Sequence, residues 1–279
     1  MWEIGGQGGN MKSLKKGLFN LEGKVALVTG AALGLGRSFS GALAEVGADV
    51  VIVDIDKDNL IETEQILNKT GNRVLKIVAD LSNPAEVVRM VDETVSSLGR
   101  LDVAVNNAGI IHKPYRFHET PLEEWNRLMA INMTAVFTCM QREIEFMLKG
   151  QSGVIVNIAS ILGLRGLCPE FAPRVSYVAA KHAVIGLTKQ AALEYAGDGI
   201  RVNAIAPGWF EGTGIARERL AGVNAAYYQE RTQKIIDATP MKRRGRIQEL
   251  SALLLYLVSD ASSFVTGQTV VIDGGWTLY

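Results

Sequence analysis

Tyr177 and Lys181 stand four positions apart in the run Tyr177-Val178-Ala179-Ala180-Lys181, and on a helix that spacing puts them on one face, one turn apart. A phenol with an ordinary pKa of about 10 is a poor base at neutral pH, and a neighbouring ammonium lowers it by favouring the phenolate. The pair is a candidate general acid/base for exchanging a proton with a reacting oxygen. The same spacing also arises from a buried aromatic beside a lysine whose stem follows apolar surface, so the pair alone leaves both readings open.

A second constellation lies near the start of the chain. Thr29-Gly30-Ala31-Ala32-Leu33-Gly34-Leu35-Gly36 follows an apolar run and opens into the amphipathic stretch 38–46. This GxxxGxG spacing is a variant of the Rossmann fingerprint. Phosphate binding needs a backbone that turns tightly and approaches the pyrophosphate closely, and it gains from the exposed N–H groups of a helix N-terminus. Gly30, Gly34 and Gly36 would serve those ends, with Leu33 and Leu35 between them. A purely structural tight turn uses the same glycines, but the position between strand and helix favours a dinucleotide. Asp54 comes 18 residues after Gly36, where a carboxylate accepts hydrogen bonds from an adenosine ribose and repels a 2′-phosphate. Leu33 before Gly34 and Ile55 after Asp54 supply no cation for such a phosphate. The expected cofactor is therefore NAD.

The elements that must position these residues follow from an alternation of β-branched apolar runs with longer helical patterns, the mark of repeated β-α units. Strands are predicted at 25–29, 50–53, 74–79, 103–106, 154–158, 202–205 and 270–272, and helices at 34–45, 58–69, 84–98, 121–149, 176–196 and 248–259. Asn83 before Pro84, and Thr120 before Pro121, read as helix starts. The expected fold is a single-domain, Rossmann-like, doubly wound α/β parallel sheet of seven strands with helices on both faces. It spans residues 21–279, with a helical lid at about 207–246 and residues 1–20 as a mobile extension.

Composition narrows the partners. Of 279 residues, 29 are Lys or Arg and 29 are Asp or Glu, so no global charge draws the chain to nucleic acid or to an anionic membrane. Cys139 and Cys168 are far apart with no CxxC spacing, so neither a disulfide framework nor a zinc site is signalled; Cys139 reads as a small core residue. No apolar run approaches the ~20 residues of a membrane span, and a cytoplasmic protein is expected. The cluster Lys242, Arg243, Arg244 and Arg246 reads as a solvated loop before the last helix, and His118 and His182 as packing or solvent-facing residues.

The joint occurrence of TGxxxGxG, Asp54, Asp80, Asn106-Asn107-Ala108-Gly109, Asn132, Ser160, YxxxK and Pro207-Gly208 resembles the short-chain dehydrogenase/reductase family from about Leu21 onward. By that resemblance Tyr177 would exchange the proton with the substrate oxygen and Ser160 would polarise that oxygen. Lys181 would bind the nicotinamide ribose and lower the Tyr177 pKa, and Asn132 would hold a water linking Lys181 to solvent. Asp80 and Leu81 would meet the adenine. Asn107, Ala108 and Gly109 would lie under the cofactor, and the residues after Pro207-Gly208 would cover the nicotinamide. Pro240, Arg243, Gly245 and Glu249 match the family's entrance to the last helix. The resemblance also implies a homotetramer in which the helices near 133–149 and 176–196 pair across a two-fold axis. No metal is required.

One departure from the family is the 17-position spacing of Ser160 and Tyr177, with a small insertion in Leu164–Arg174 that would border the substrate pocket. His112, Arg165, Arg174, Trp209, Phe210 and Tyr227 or Tyr228 are expected to face a small-molecule substrate, and Arg165 could pair with a carboxylate. The chain is similar both to bacterial sugar-acid and polyol dehydrogenases and to 3-oxoacyl reductases. NAD preference suits oxidation and favours the former. A non-catalytic dinucleotide-binding regulator would be expected to lose Tyr177 or Lys181, and both are present. Epimerisation or dehydration on the same cradle would give no net NADH.

Overall fold

A computed structural model describes residues 17–171, 174–213 and 225–278. Seven parallel strands form one sheet in the order β3-β2-β1-β4-β5-β6-β7. They are β1 Val25–Thr29, β2 Asp49–Asp54, β3 Val74–Val78, β4 Val103–Asn106, β5 Gly153–Ile158, β6 Ile200–Pro207 and β7 Thr269–Ile272. The helices are α1 Gly34–Glu45, α2 Lys57–Leu67, α3 Pro84–Leu98, α4 Leu122–Met129, α5 Ala135–Gly150, α6 Val175–Tyr195, α7 Ala225–Ala238 and α8 Ile247–Val258.

The central strands are apolar throughout because both of their faces are covered. Val25 and Leu27 point to a core shared with α3, α5 and α6, whereas Ala26 and Val28 point to one shared with α1, α2 and α8. The alternation along a single strand thus feeds two cores. A third, smaller cluster contains Ile111, Leu128, Ile161, Leu162, Phe171, Tyr177, Ile235 and Trp276. It lies around the reacting residues rather than in either layer.

Asn83 caps α3 as expected, accepting from the Ala85 N–H at 3.1 Å, with Pro84 in the first turn. The single helix expected over 121–149 is instead α4 and α5 joined by a π-helical turn at Ala130–Thr134, and α4 is entered through Pro121 rather than Thr120. Thr120 turns back to the Arg116 carbonyl. Cys139 is buried in the core, and Cys168 is exposed. Most of the expected extension, residues 1–16, and residues 214–224 of the expected lid lie outside the described residues. Among the described residues no helix is long and apolar enough to cross a membrane.

Candidate active site

Chain order reverses between β1 and β4, so the loops leaving these neighbours diverge and open a crevice at the carboxyl ends of the strands. A cleft of about 560 Å³ occupies that place.

One end of the cleft is the glycine turn. Gly30 has a φ of +66°, and a Cβ there would lie 2.9 Å from Ala108 Cα. Gly36 sits below the turn: a Cβ on it would come within 2.0 Å of the Gly30 carbonyl oxygen. Asn107 holds the turn from beneath, its Nδ2 donating to the Thr29 carbonyl at 2.8 Å and to the Gly30 carbonyl at 3.2 Å. Helix α1 then begins at Leu33 with no capping side chain, which leaves its first-turn N–H groups to an incoming anion. Gly30, Leu33 and Leu35 line the cleft; Gly34 and Gly36 do not, and they shape the turn behind it.

Asp54, at the end of β2, lines the same end together with Ile55. Its Oδ2 accepts from the Ala32 N–H at 2.9 Å and its Oδ1 from the Asp56 N–H at 3.0 Å, so the carboxylate braces the glycine turn. Arg37, an arginine on α1, is turned away to Thr63 and to Glu62, its ion-pair partner at 3.0 Å. Asp80 and Leu81 form the next part of the wall, with Asp80 Oδ1 held by the Ser82 N–H at 2.9 Å. Asn107, Ala108 and Gly109 make the floor.

Beyond the floor, Ser160, Tyr177 and Lys181 line the cleft together, at 8%, 8% and 4% exposure. The Lys181 ammonium donates to the Ile158 carbonyl at 2.6 Å and lies 5.6 Å from the centre of the Tyr177 ring. Burial pushes its pKa down to about 8. Ser160 Oγ accepts from the Leu162 N–H at 3.1 Å, so its own proton is directed elsewhere. Asn132 is fully buried on the π-helical turn and does not line the cleft. Both ends of its amide are spent on Ile110, accepting from its N–H at 2.8 Å and donating to its carbonyl at 2.9 Å.

The expected substrate contacts divide. Ser160, Trp209, Phe210 and Tyr228 line the cleft, and Pro207 and Gly208 lead into that wall. His112 does not: its Nδ1 faces the Lys113 carbonyl at 2.5 Å and its Nε2 bonds Ser176 Oγ, the residue before Tyr177. Its carbonyl takes the buried Arg174 Nε at 2.7 Å. These residues tie the loop after β4 to the start of α6. Arg165 reaches the Trp276 carbonyl at 3.4 Å on a separate surface recess. The inserted loop backs the cleft through Phe171, whose ring meets Trp209 at 6.5 Å and Trp276 at 5.2 Å. No described residue of 164–174, Phe171 included, lines the cleft itself, and the Tyr227 side chain and residues 172–173 lie outside the described residues.

Two basic cleft residues escaped the sequence reading. Arg231 of α7 is buried, with its guanidinium 5.1 Å from the Trp209 ring centre and its Nη2 donating to the Phe171 carbonyl at 3.2 Å. Arg244 bonds the Phe210 carbonyl and faces Tyr228 Oη at 3.5 Å, and among the described residues no carboxylate pairs with it. Its neighbour Arg243 behaves as expected, ion-paired to Glu249 at 2.6 Å. The run of basic residues hid the one that turns inward.

A glycine cradle closed to any Cβ, an uncapped helix N-terminus and a tyrosine–lysine pair at the far end of one cleft suit a nicotinamide dinucleotide. The family model for enoyl-(acyl carrier protein) reductase matches residues 30–277. The 2-dehydro-3-deoxy-D-gluconate 5-dehydrogenase of Dickeya dadantii is 38% identical over 92% of this chain and 97% of its own length. Among solved structures, levodione reductase aligns with a TM-score of 0.86 at 34% identity, covering 92% of this chain and 98% of that one. NAD+-bound xylitol dehydrogenase aligns with a TM-score of 0.85 at 32% identity, over 91% and 99%. The chain belongs to the short-chain dehydrogenase/reductase family. It is an oxidoreductase that interconverts a secondary alcohol and a ketone using a nicotinamide dinucleotide.

Proposed function

We propose that this protein is an NAD-dependent dehydrogenase of a polyol, sugar or sugar acid. The cofactor preference rests on Asp54, a carboxylate at the adenosine end of the cleft where a 2′-phosphate would meet its charge. Among the described residues no arginine pairs with it to offset that charge, and Arg37 is committed to Glu62. Gly30, Leu33 and Leu35 hold the pyrophosphate against the start of α1. When bound, the dinucleotide supplies the partner for hydride transfer at the substrate carbon.

Tyr177 exchanges the proton with the substrate oxygen, and Ser160 donates a hydrogen bond to that oxygen as charge develops on it. Lys181 keeps a positive charge beside the phenol, which favours the phenolate when the alcohol is oxidised. Asn132 positions the Ile110 backbone at the edge of the site. The inward-facing Arg244 supports a substrate that carries a carboxylate, and the activity of the Dickeya relative is of that kind.

A second reading is favoured by the apolar wall of Ile110, Ile161, Leu162, Trp209 and Ile235, which suits reduction of a 3-oxoacyl thioester or another apolar ketone. Initial rates followed at the NADH absorbance, with NAD and NADP offered separately, test both. The panel holds sugar acids, polyols, secondary alcohols, hydroxysteroids and 3-hydroxyacyl thioesters. An NAD-linked rate with a hydroxylated acid or polyol is expected; turnover confined to thioesters or to NADP would overturn the reading.

We further propose a homotetramer that pairs α5 and α6 between copies. Support comes from apolar side chains left on their outer faces, Phe137 at 45%, Leu148 at 38% and Leu193 at 80% exposure. A solution mass equal to one chain would refute it.

A further inference from the structure

A cluster of buried polar side chains lies behind the cleft, where β4, β5, α5 and α6 meet. Asn106 and Asn157 are register partners on β4 and β5, Glu143 comes from α5 and Thr188 from α6; Asn106 is 2% exposed and the other three are fully buried. The direction of every bond among them follows from one helix carbonyl. Thr188 Oγ1 donates to the Val184 carbonyl at 2.8 Å, so it can only accept from Asn157 Nδ2, at 2.9 Å. That fixes the Asn157 amide with its oxygen toward Asn106, whose Nδ2 donates to it at 3.0 Å and to Glu143 Oε2 at 3.1 Å. Two oxygens then remain without a hydrogen bond although sealed from solvent: Asn106 Oδ1 and Glu143 Oε1.

An ionised carboxylate offers no proton to either atom, and buried acceptors are seldom left unsatisfied. We propose that Glu143 is a neutral carboxylic acid in the working protein, donating from Oε1 to Asn106 Oδ1 in a reciprocal acid–amide pair that positions the catalytic floor. One proton on Oε1 satisfies both orphaned oxygens and closes a ring whose other side is the bond from Asn106 Nδ2 to Oε2.

The surroundings agree. Burial raises the Glu143 pKa to about 8, opposed by the Asn106 hydrogen bond. Strands β4 and β5 bring no charged side chain to it. On its own helix the titratable neighbour is Cys139, a buried thiol pushed well up by desolvation and by the Glu143 charge. Helix α6 carries Lys181, already engaged by the Ile158 carbonyl, and α3 carries Asp92, engaged by Arg142.

The pair acts on the site through the residues that follow each asparagine. Asn107 pins the glycine turn, and Ile158 holds the Lys181 ammonium. Ionising Glu143 sets a negative charge against the Asn106 oxygen and loosens both strand ends. Glu143 is thus a positioning residue, and this holds whichever substrate the cleft takes.

The Glu143→Gln variant tests the idea, because a glutamine amide can donate to Asn106 Oδ1 and accept from Nδ2 without titrating. Infrared difference spectra of wild type against this variant should show a protonated carboxyl band at neutral pH that disappears through the mildly alkaline range. NADH affinity, read by fluorescence between about pH 6 and about pH 10, should fall roughly threefold or more in wild type relative to the variant as Glu143 ionises. Absence of the band at neutral pH, or identical pH profiles for the two proteins, would overturn the proposal. If the variant does not fold, the infrared titration of wild type carrying isotope-labelled glutamate decides: a glutamic-acid band at neutral pH supports the pair, and its absence removes it.

Discussion

Gly36 faces the carbonyl of Gly30 across the first β-α turn so closely that a single added methyl would lie 2.0 Å from the oxygen. The obstacle is backbone, which cannot swing aside as a flexible side chain could. Gly36→Ala is expected to force the turn open, with a loss of about 1–3 kcal/mol in stability. Dinucleotide affinity should drop more than tenfold. Thermal unfolding and NADH fluorescence titration read the two effects, and an unchanged affinity would separate the turn from cofactor binding.

Replacing Tyr177 by phenylalanine keeps the ring in its cluster with Ile161, Phe171 and Trp276 and removes the hydroxyl that carries the acidic proton. Cofactor affinity should remain near wild type while kcat falls by roughly 10²–10⁴. Retained turnover would sink the proton-transfer assignment.

The carboxylate of Asp54 both braces the Ala32 N–H and, in the proposed complex, receives the ribose hydroxyls. Asp54→Ala should weaken NAD binding roughly tenfold to a hundredfold, from the loss of hydrogen bonds to a charged acceptor. NADP should lose less, because the repulsion of its phosphate disappears at the same time. The ratio of kcat/KM for the two cofactors is the readout, and an unchanged ratio would remove the ribose assignment.

Lys181 is buried with its pKa lowered to about 8, so in the folded state it gives up its proton before an unfolded lysine would, at about 10.4. Between those values the unfolded chain binds more protons, and the contribution of Lys181 to stability rises with pH. Below pH 8 the burial cost is present in full. Lys181→Met should therefore stabilise the unliganded protein most at neutral pH, and the advantage should shrink as pH rises through that window. Melting temperatures of both proteins across the range check it; an advantage that grows with pH would contradict the burial argument. Turnover of the same variant should be strongly reduced.

Strands β1 and β4 and helix α1 match their sequence-predicted bounds because continuous apolar runs and glycine punctuation define them locally. The π-helical turn carried no such signal. Its residues Ala130–Thr134 read in sequence as an ordinary helical stretch, and the widened turn accompanies an Asn132 amide directed at Ile110, a contact made across the fold. Arg243 and Arg244 are adjacent members of one basic run, yet one ion-pairs with Glu249 in the first turn of α8 and the other turns into the cleft, which only the packing reveals. The Glu143 pair was equally hidden, since Asn106 and Asn157 become neighbours only once β4 and β5 are in register. His112 was expected to face the substrate, but its ring is bound to Ser176, a partner that could be known only from the packing of α6 against the loop after β4.

Gly208, part of the cleft wall, takes its backbone support from Ile272 at the end of β7 and packs with no room for a Cβ against Asp273, the residue after it. A chain emerging from the ribosome can pair β1 with β2 and later with β4, yet the wall over the reacting groups waits for β7. Nascent protein therefore holds the glycine turn long before it holds a finished catalytic chamber.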